Sequence, residues 1–169
     1  MEYPQTCPIC NAPFIAPIGP PDAKVLIVSE FPGEYETEQG RPFVPQAPAG
    51  RVLHAELYRV GVSIDALRLT NVWLHAPDEK DCRFSWHLYQ AEQECADRRI
   101  ILVLGSTASE SLLGVKVMSV SGTLVKSKKW PKTKIIVGPN PATCLHGPIG
   151  ELRLSLAVFK KEYDKCLKR

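Results

Sequence analysis

The chain predicts an α/β fold: a single three-layer domain with a central four-stranded, mainly parallel sheet flanked by helices. Three observations carry this. Short β-branched apolar runs recur along the sequence, segments of helical periodicity fill the intervals between them, and 169 residues of 44% apolar composition suffice for one core. Strand and helix alternation needs crossover connections, which make a sheet parallel and cover both of its faces. A chain of this length buries roughly 70% of its unfolded surface, so residues 1–169 are read as one domain with no second core.

Taken in order, residues 1–23 form a cysteine-bearing N-terminal extension whose Pro-rich part, Ala12 to Pro21, reads as a linker wrapped on the surface. Lys24 to Val28 is the first strand, apolar and uninterrupted. Ser29 to Phe43 follows as a loop, because Pro32-Gly33 and Gly40-Arg41-Pro42 hold it off any regular helix or strand. Arg51 to Val60 is helical, Leu67 to Val72 is the second strand, and Ser85 to Ala96 is the next helix. Arg99 to Leu104, Ser106 to Leu113 and Lys134 to Val137 continue as strand, helix and strand. Ile149, Leu152, Leu156, Phe159 and Tyr163 lie on one stripe at helical spacing, which predicts a last helix lying on the sheet.

In such sheets ligands bind beyond the carboxyl ends of the strands, on loops held by the rigid sheet. The loop after the first strand, Asn71 after the second, Ser106 after the third and Asn140 after the fourth would gather at that rim. The net charge of +3 does not by itself mark a nucleic-acid protein. Its lysines are unevenly placed, however: Lys126, Lys128, Lys129, Lys132 and Lys134 crowd around Trp130. They form a solvated loop or a contact to DNA phosphates, with Lys128 and Lys129 the candidates for the latter.

No apolar run approaches the roughly 20 residues that span a bilayer, and no secretion signal opens the chain. A cytoplasmic monomer with no membrane partner is the expectation. In a reducing compartment the six cysteines are metal ligands or buried fillers rather than disulfides. Cys7 and Cys10, with two residues between them, have the spacing that presents two thiolates from one turn, as in zinc ribbons and iron–sulfur sites.

Ser29-Glu30-Phe31-Pro32-Gly33, an acidic stretch and Gly40-Arg41-Pro42-Phe43 resemble the first signature of the family 4 uracil-DNA glycosylases, Gly-Glu-Ala-Pro-Gly followed by Gly-Arg-Pro-Phe. Ala49-Gly50-Arg51-Val52-Leu53, Leu69-Thr70-Asn71-Val72 and Val103-Leu104-Gly105-Ser106-Thr107-Ala108 are similar to further pieces in the family's order. The resemblance implies a monofunctional glycosylase that hydrolyses the bond between deoxyribose and uracil, or a related or modified pyrimidine, in single- or double-stranded DNA and leaves an abasic site. Breaking that bond places positive charge on the sugar and negative charge on the base, while the nucleotide is held outside the helix.

Residue by residue, the resemblance makes Phe43 the platform on which the base stacks and Asn71 the amide that pairs with it. It makes Glu36 the carboxylate near the sugar, and Glu30 and Gly33 the residues that shape the pocket. Asn140 stands where the family usually has histidine, and an amide donates a hydrogen bond more weakly than an imidazolium. Leu145 falls where relatives place an apolar wedge. The resemblance further implies a 4Fe-4S cluster, with zinc as the alternative. Cys7 and Cys10 would be joined by Cys95, on a helix that Phe84, Leu88 and Ala91 orient inward. The fourth ligand is Cys82, whose thiolate is the softer donor, or His75, which falls at the family's position after Thr70-Asn71-Val72. Two readings from other classes stay open: a catalytically weak DNA-binding or damage-sensing protein of the same fold, and a metal-stabilised interaction protein without a nucleic-acid role.

Overall fold

The structure, a computed structural model, describes residues 3–77, 82–147 and 149–168. Its strands are β1 (Val25–Ser29), β2 (Arg68–Asn71), β3 (Ile100–Leu104), β4 (Leu124–Val125) and β5 (Lys134–Gly138). Its α-helices are α1 (Glu34–Gln39), α2 (Pro48–Arg59), α3 (Phe84–Cys95), α4 (Ser106–Leu113), α5 (Val117–Val120) and α6 (Gly150–Leu167), with 3-10 helices over Ile64–Ala66 and Pro141–Leu145. The strands form one five-stranded sheet in the order β2-β1-β3-β5-β4. The four strands read from the sequence pair in parallel, and β4 runs antiparallel to β5 at one edge. The sheet therefore has one strand more than expected. With two residues β4 is too short for an apolar alternation to betray it; it exists because Leu124 and Val125 pair with Ile136 and Ile135.

The strands are apolar without interruption because both faces are covered. Val25, Ile27, Ile100, Leu102, Leu104 and Ile136 pack with α2 and α6 on one side. Leu26, Val28, Ile101, Val103, Ile135 and Val137 pack with α3, α4 and α5 on the other. Successive side chains alternate between the two clusters, as a strand requires, and helix, sheet and helix stack as three layers. Among the described residues no helix is long and apolar enough to cross a membrane.

Two expectations are corrected. The Ser29 to Phe43 segment is not free of helix: α1 occupies its middle. The residues read as breakers mark its ends, Gly33 before the first turn and Gly40 in the left-handed conformation (φ 64°) that closes a helix. Nor is Ala12 to Pro21 a surface linker. Phe14, Ile15 and Pro17 are buried, and Ile18 exchanges hydrogen bonds with Leu69 of β2 at 3.0 and 2.9 Å.

Candidate functional site

Because β1, β2, β3 and β5 run in parallel, their carboxyl ends share one rim. Ser29 stands beside Asn71 in register, and Asn140 follows the end of β5. Between them lies a cavity of about 160 Å³ lined by Ser29, Phe31, Gly33, Phe43, Asn71 and Asn140, with Glu36 in its wall. A cavity of about 150 Å³ accepts one benzene-sized ring, so this one is large enough for a single six-membered ring. Phe43, Asn71, Glu36, Gly33 and Asn140, predicted from separate stretches of sequence, are thus brought to one place.

Phe43 is buried with a backbone φ of 54°, a conformation uncommon for a residue with a side chain. Its surroundings enforce it. The Phe43 N–H donates to Glu36 Oε1, and the Phe43 carbonyl lies 2.9 Å from His54 Nε2 on α2, which can only donate to it. Gly50, one turn before His54 on α2, lets the Phe43-Val44 backbone lie on the helix: a Cβ there would sit 2.0 Å from the Val44 carbonyl oxygen. His54 and this use of Gly50 escaped the sequence reading; their spacing of four on one helix face was the available signal.

Glu36 is 5% exposed, and both of its oxygens are engaged: Oε2 accepts the Gly33 N–H at 2.7 Å and Oε1 accepts that of Phe43. Burial pushes its carboxyl pKa above the usual range, against the pull of these two donors. Asn71, at the end of β2, is 3% exposed. Its side-chain amide forms no hydrogen bond among the described residues, yet no buried side-chain nitrogen or oxygen there lacks a partner. Its amide is therefore open to the cavity it lines.

Asn140 is fixed from two sides. Its Oδ1 accepts the Ala142 N–H at 2.9 Å, and its Nδ2 donates to Glu30 Oε2. Glu30 Oε1 in turn accepts the Thr107 N–H at 2.8 Å, at the start of α4. Gly105 (φ 97°) makes room, since a Cβ there would meet the Glu30 carboxyl carbon at 2.4 Å. Glu30 accordingly stands behind Asn140 and orients it, rather than lining the cavity as the expectation of a pocket-shaping residue had it.

Leu145 is 38% exposed at the end of the 3-10 helix that begins beside Asn140, on the side of the cavity. The lysines are elsewhere. Lys128 and Lys129 lie between β4 and β5, before β5 begins, and thus at the rim opposite the cavity. Lys129 is paired with Glu92 of α3 and lies 6.0 Å from the Trp130 ring centre. Strand direction thus carries Lys128 and Lys129 away from the cavity, and a contact of these two with DNA phosphates would lie apart from it. A wider cleft of about 510 Å³ at that opposite rim is lined by Arg99, Lys132, Lys134 and Lys165.

A second cluster joins the extension to the β2–α3 connection. Cys7, Cys10, His75 and Cys82 bring their donor atoms within 4.8 Å of one another, a group able to hold a metal. His87, in the first turn of α3, adds Nε2 at 3.0 Å from Cys82 Sγ and was missed in the sequence. Burial alone would raise the Cys7 thiol, but the backbone N–H groups of Cys10 and Ile9 and the neighbouring thiols bring it down to about 7. Cys95 does not belong to the cluster. It lies at the far end of α3, about 12 Å from His87 at about 1.5 Å rise per residue. There it packs with Leu26, Ala91 and Ile101, and burial pushes its thiol up to about 12. The inward helix face suggested by Ala91 is real, but it faces the sheet. Cys82 and His75, weighed as alternatives, are both present.

Fold and site together define an α/β protein with a ring-sized cavity at the carboxyl rim of a parallel sheet, walled by an aromatic and two amides. The chain belongs to the uracil DNA glycosylase superfamily, whose family model matches residues 16–164. It is similar to the type-4 uracil-DNA glycosylase of Sulfurisphaera tokodaii, 29% identical over 144 residues, covering 77% of this chain and 64% of that protein. It is also similar to the type-4 uracil-DNA glycosylases of Archaeoglobus fulgidus (25% identical, 92% of this chain and 83% of that protein) and Thermotoga maritima (28%, 78% and 71%). The chain thus spans just under two thirds of the Sulfurisphaera protein's length.

Proposed function

We propose that this protein is a monofunctional DNA glycosylase that hydrolyses the N-glycosidic bond of uracil, or of a related or modified pyrimidine, in DNA. The observation that carries the reading is the Asn71 amide, deeply buried yet open to a cavity the size of one pyrimidine ring. An amide there donates to one pyrimidine carbonyl and accepts from the ring N–H. A base lacking that pattern would leave buried polar groups unpaired and be rejected by about 10⁴-fold or more. Phe43 supplies the stacking face, worth about 1–3 kcal/mol for one base, which offsets the few kcal/mol of extruding a nucleotide.

Water attacks the anomeric carbon of the sugar while the bond to the base nitrogen breaks; the bonding electron pair leaves with the base, and the proton shed by the water passes to solvent, from which the base anion is protonated. The remaining Asn140 Nδ2–H donates to the pyrimidine oxygen on which that charge settles, and Glu30 holds the amide in place. The Glu36 carboxylate, set by two backbone donors, stabilises the cationic sugar and the attacking water. Leu145 fills the space that the flipped base vacates. No lysine lines the cavity among the described residues, in keeping with hydrolysis rather than Schiff-base chemistry. The metal-capable cluster has a structural part in this reading, fastening the extension to the core.

The test is incubation with uracil-containing single-stranded and mismatched DNA, followed by alkaline cleavage of abasic sites. Wild type should give product, while Asn71→Ala should lose at least a thousandfold with an unchanged circular dichroism spectrum. Equal rates would remove Asn71 from the chemistry. A second reading, a DNA-binding or damage-sensing protein with slow turnover, is favoured by the weaker donor at Asn140; uracil-dependent DNA retention without product would select it.

A further inference from the structure

We propose that the cysteine–histidine cluster is a closed site for one tetrahedral zinc-class ion, bound by the thiolates of Cys7, Cys10 and Cys82 and by Nε2 of His75, and not the seat of a four-iron cluster. The inference stands apart from the glycosylase reading, since it concerns which ligand the donor set fits.

The donors come first. A four-iron cluster is ordinarily held by four thiolates, each on its own iron at an outer corner of the cube, which spreads the ligands well beyond the spacing imposed by a single ion. Among the described residues only three cysteines converge here. Cys95 is sealed in the core beneath α3, and Cys144 packs against the hydrophobic core on the other face of the sheet. The fourth donor is an imidazole.

The spacing comes second. Zinc binds sulfur at about 2.3 Å and nitrogen at about 2.0–2.1 Å, so the edges of its coordination tetrahedron are about 3.6–3.8 Å. Cys7 and Cys82 Sγ lie 3.6 Å apart, and His75 Nε2 lies 3.3 Å from Cys10 Sγ and 3.2 Å from Cys82 Sγ. Those are the edges of one small polyhedron, with no room for a cube of iron and sulfide inside it.

The histidines come third, because their other ring nitrogens fix which one is a ligand. His75 Nδ1 lies 2.6 Å from the Ala76 carbonyl oxygen, which only accepts, so Nδ1 carries the proton and Nε2 offers a bare lone pair to the cluster. A backbone carbonyl on the far nitrogen is the usual support of a metal-bound histidine. His87 is the reverse. Its Nδ1 accepts the Leu74 N–H at 3.4 Å, so its proton sits on Nε2 and points at Cys82 Sγ, 3.0 Å away, and Cys7 Sγ, 3.8 Å away. His87 therefore donates to the thiolates from outside the coordination sphere. The Trp73 and Trp86 rings, each 5.0 Å from the His87 ring, keep water from it. Zinc held this way has no open coordination position and serves to tie the extension down.

The experiment uses the full chain, produced with iron and zinc both supplied and purified without chelator. Bound metals, acid-labile sulfide and the visible spectrum are measured on the wild type, and then on His87→Phe and His75→Phe. The expected result is a colourless wild type with one zinc per chain and no sulfide, giving intense tetrahedral ligand-field bands when cobalt(II) replaces the zinc. His87→Phe should keep one ion with affinity lowered by about 10–100-fold, and His75→Phe should lose it or bind it far more weakly still. A brown protein with iron and sulfide in equal amounts overturns the proposal, as does a wild type that binds neither metal. Loss of the ion in His87→Phe with retention in His75→Phe overturns the ligand assignment. Uracil excision is scored separately: an inactive, zinc-loaded protein defeats the glycosylase reading and leaves this one standing.

Discussion

Gly50→Ala is a sharp test of how the cavity is built, because general helix physics and this structure predict opposite signs. At an unconstrained helical position, replacing glycine with alanine stabilises by about 1 kcal/mol. In α2 the new methyl would lie 2.0 Å from the Val44 carbonyl oxygen and 2.8 Å from the Phe43 carbonyl carbon, both backbone atoms. Reaching even a tight contact of 3.4 Å moves that backbone by 1.4 Å. Overpacking of this kind costs about 1–3 kcal/mol. Set against the helix gain, the net loss is about 0–2 kcal/mol, or up to about 8 °C in Tm for a chain of this size.

The same displacement moves the Phe43 ring, and a misplacement of about 1 Å costs on the order of 10²-fold in rate. Thermal unfolding followed by circular dichroism reads the first effect, and single-turnover excision from uracil DNA reads the second. Gly150→Ala, where an added methyl meets nothing within 4 Å, is the control that should be neutral or slightly stabilising. A Gly50→Ala protein that melts higher than wild type and excises at the wild-type rate would show that packing against α2 does not set the position of Phe43.

Three further predictions follow from the polar groups. Asn140→His should raise excision by about tenfold or more, since one positioned donor is worth about 10²–10³ in rate and Glu30 stands ready to accept the imidazole's second N–H; an unchanged rate would mean that this donor does not limit turnover. Burial raises the Glu36 carboxyl above its ordinary 4.5, so excision that depends on the ionised form should fall, as pH is lowered, through an inflection above 4.5, and a pH–rate profile lacking that limb would release Glu36 from the chemistry. Glu94 accepts from Arg68 at 2.9 Å, from Arg98 at 2.9 Å and from Tyr3 at 2.6 Å. Burial would raise its carboxyl, but the Arg68 and Tyr3 hydrogen bonds overcome it and hold the value below 4.5. Its stabilisation is therefore complete above pH 4.5 and lost as pH falls through the lower folded value. Glu94→Ala, which leaves Arg68 buried and unpaired, should cost about 3–5 kcal/mol in urea unfolding at neutral pH, and a loss under 1 kcal/mol would refute that account.

What the sequence made legible was whatever depends on local pattern. Uninterrupted, β-branched apolar runs as short as Ile100 to Leu104 read as strands covered on both faces, and once they are parallel, the residues following them must meet at one rim. That logic places Phe43, Asn71 and Asn140 together without reference to any side-chain contact. It does not extend to questions of direction and partner. Cys95 and Cys82 are chemically equal in a sequence, and only the packing of α3 against the sheet shows that one thiol is sealed among Leu26 and Ile101. Lys129 reads as a free cation until the fold brings Glu92 to it. Glu30 looks like a pocket residue because it neighbours one, whereas the glycine at 105 draws its carboxylate under α4. β4 is two residues of ordinary composition whose only reason to be extended is the strand beside it.

The pairing of Ile18 with Leu69 bears on how the molecule behaves in company. β2 ends the sheet on one side, and a bare outer strand offers its unused amide groups to any other extended chain, which is how soluble proteins begin to aggregate. Here that boundary is shielded by the chain's own leading segment, crossing in antiparallel contact. Shortening the protein from its amino end to obtain a neater fragment would strip the shield from β2 and open that strand to self-association.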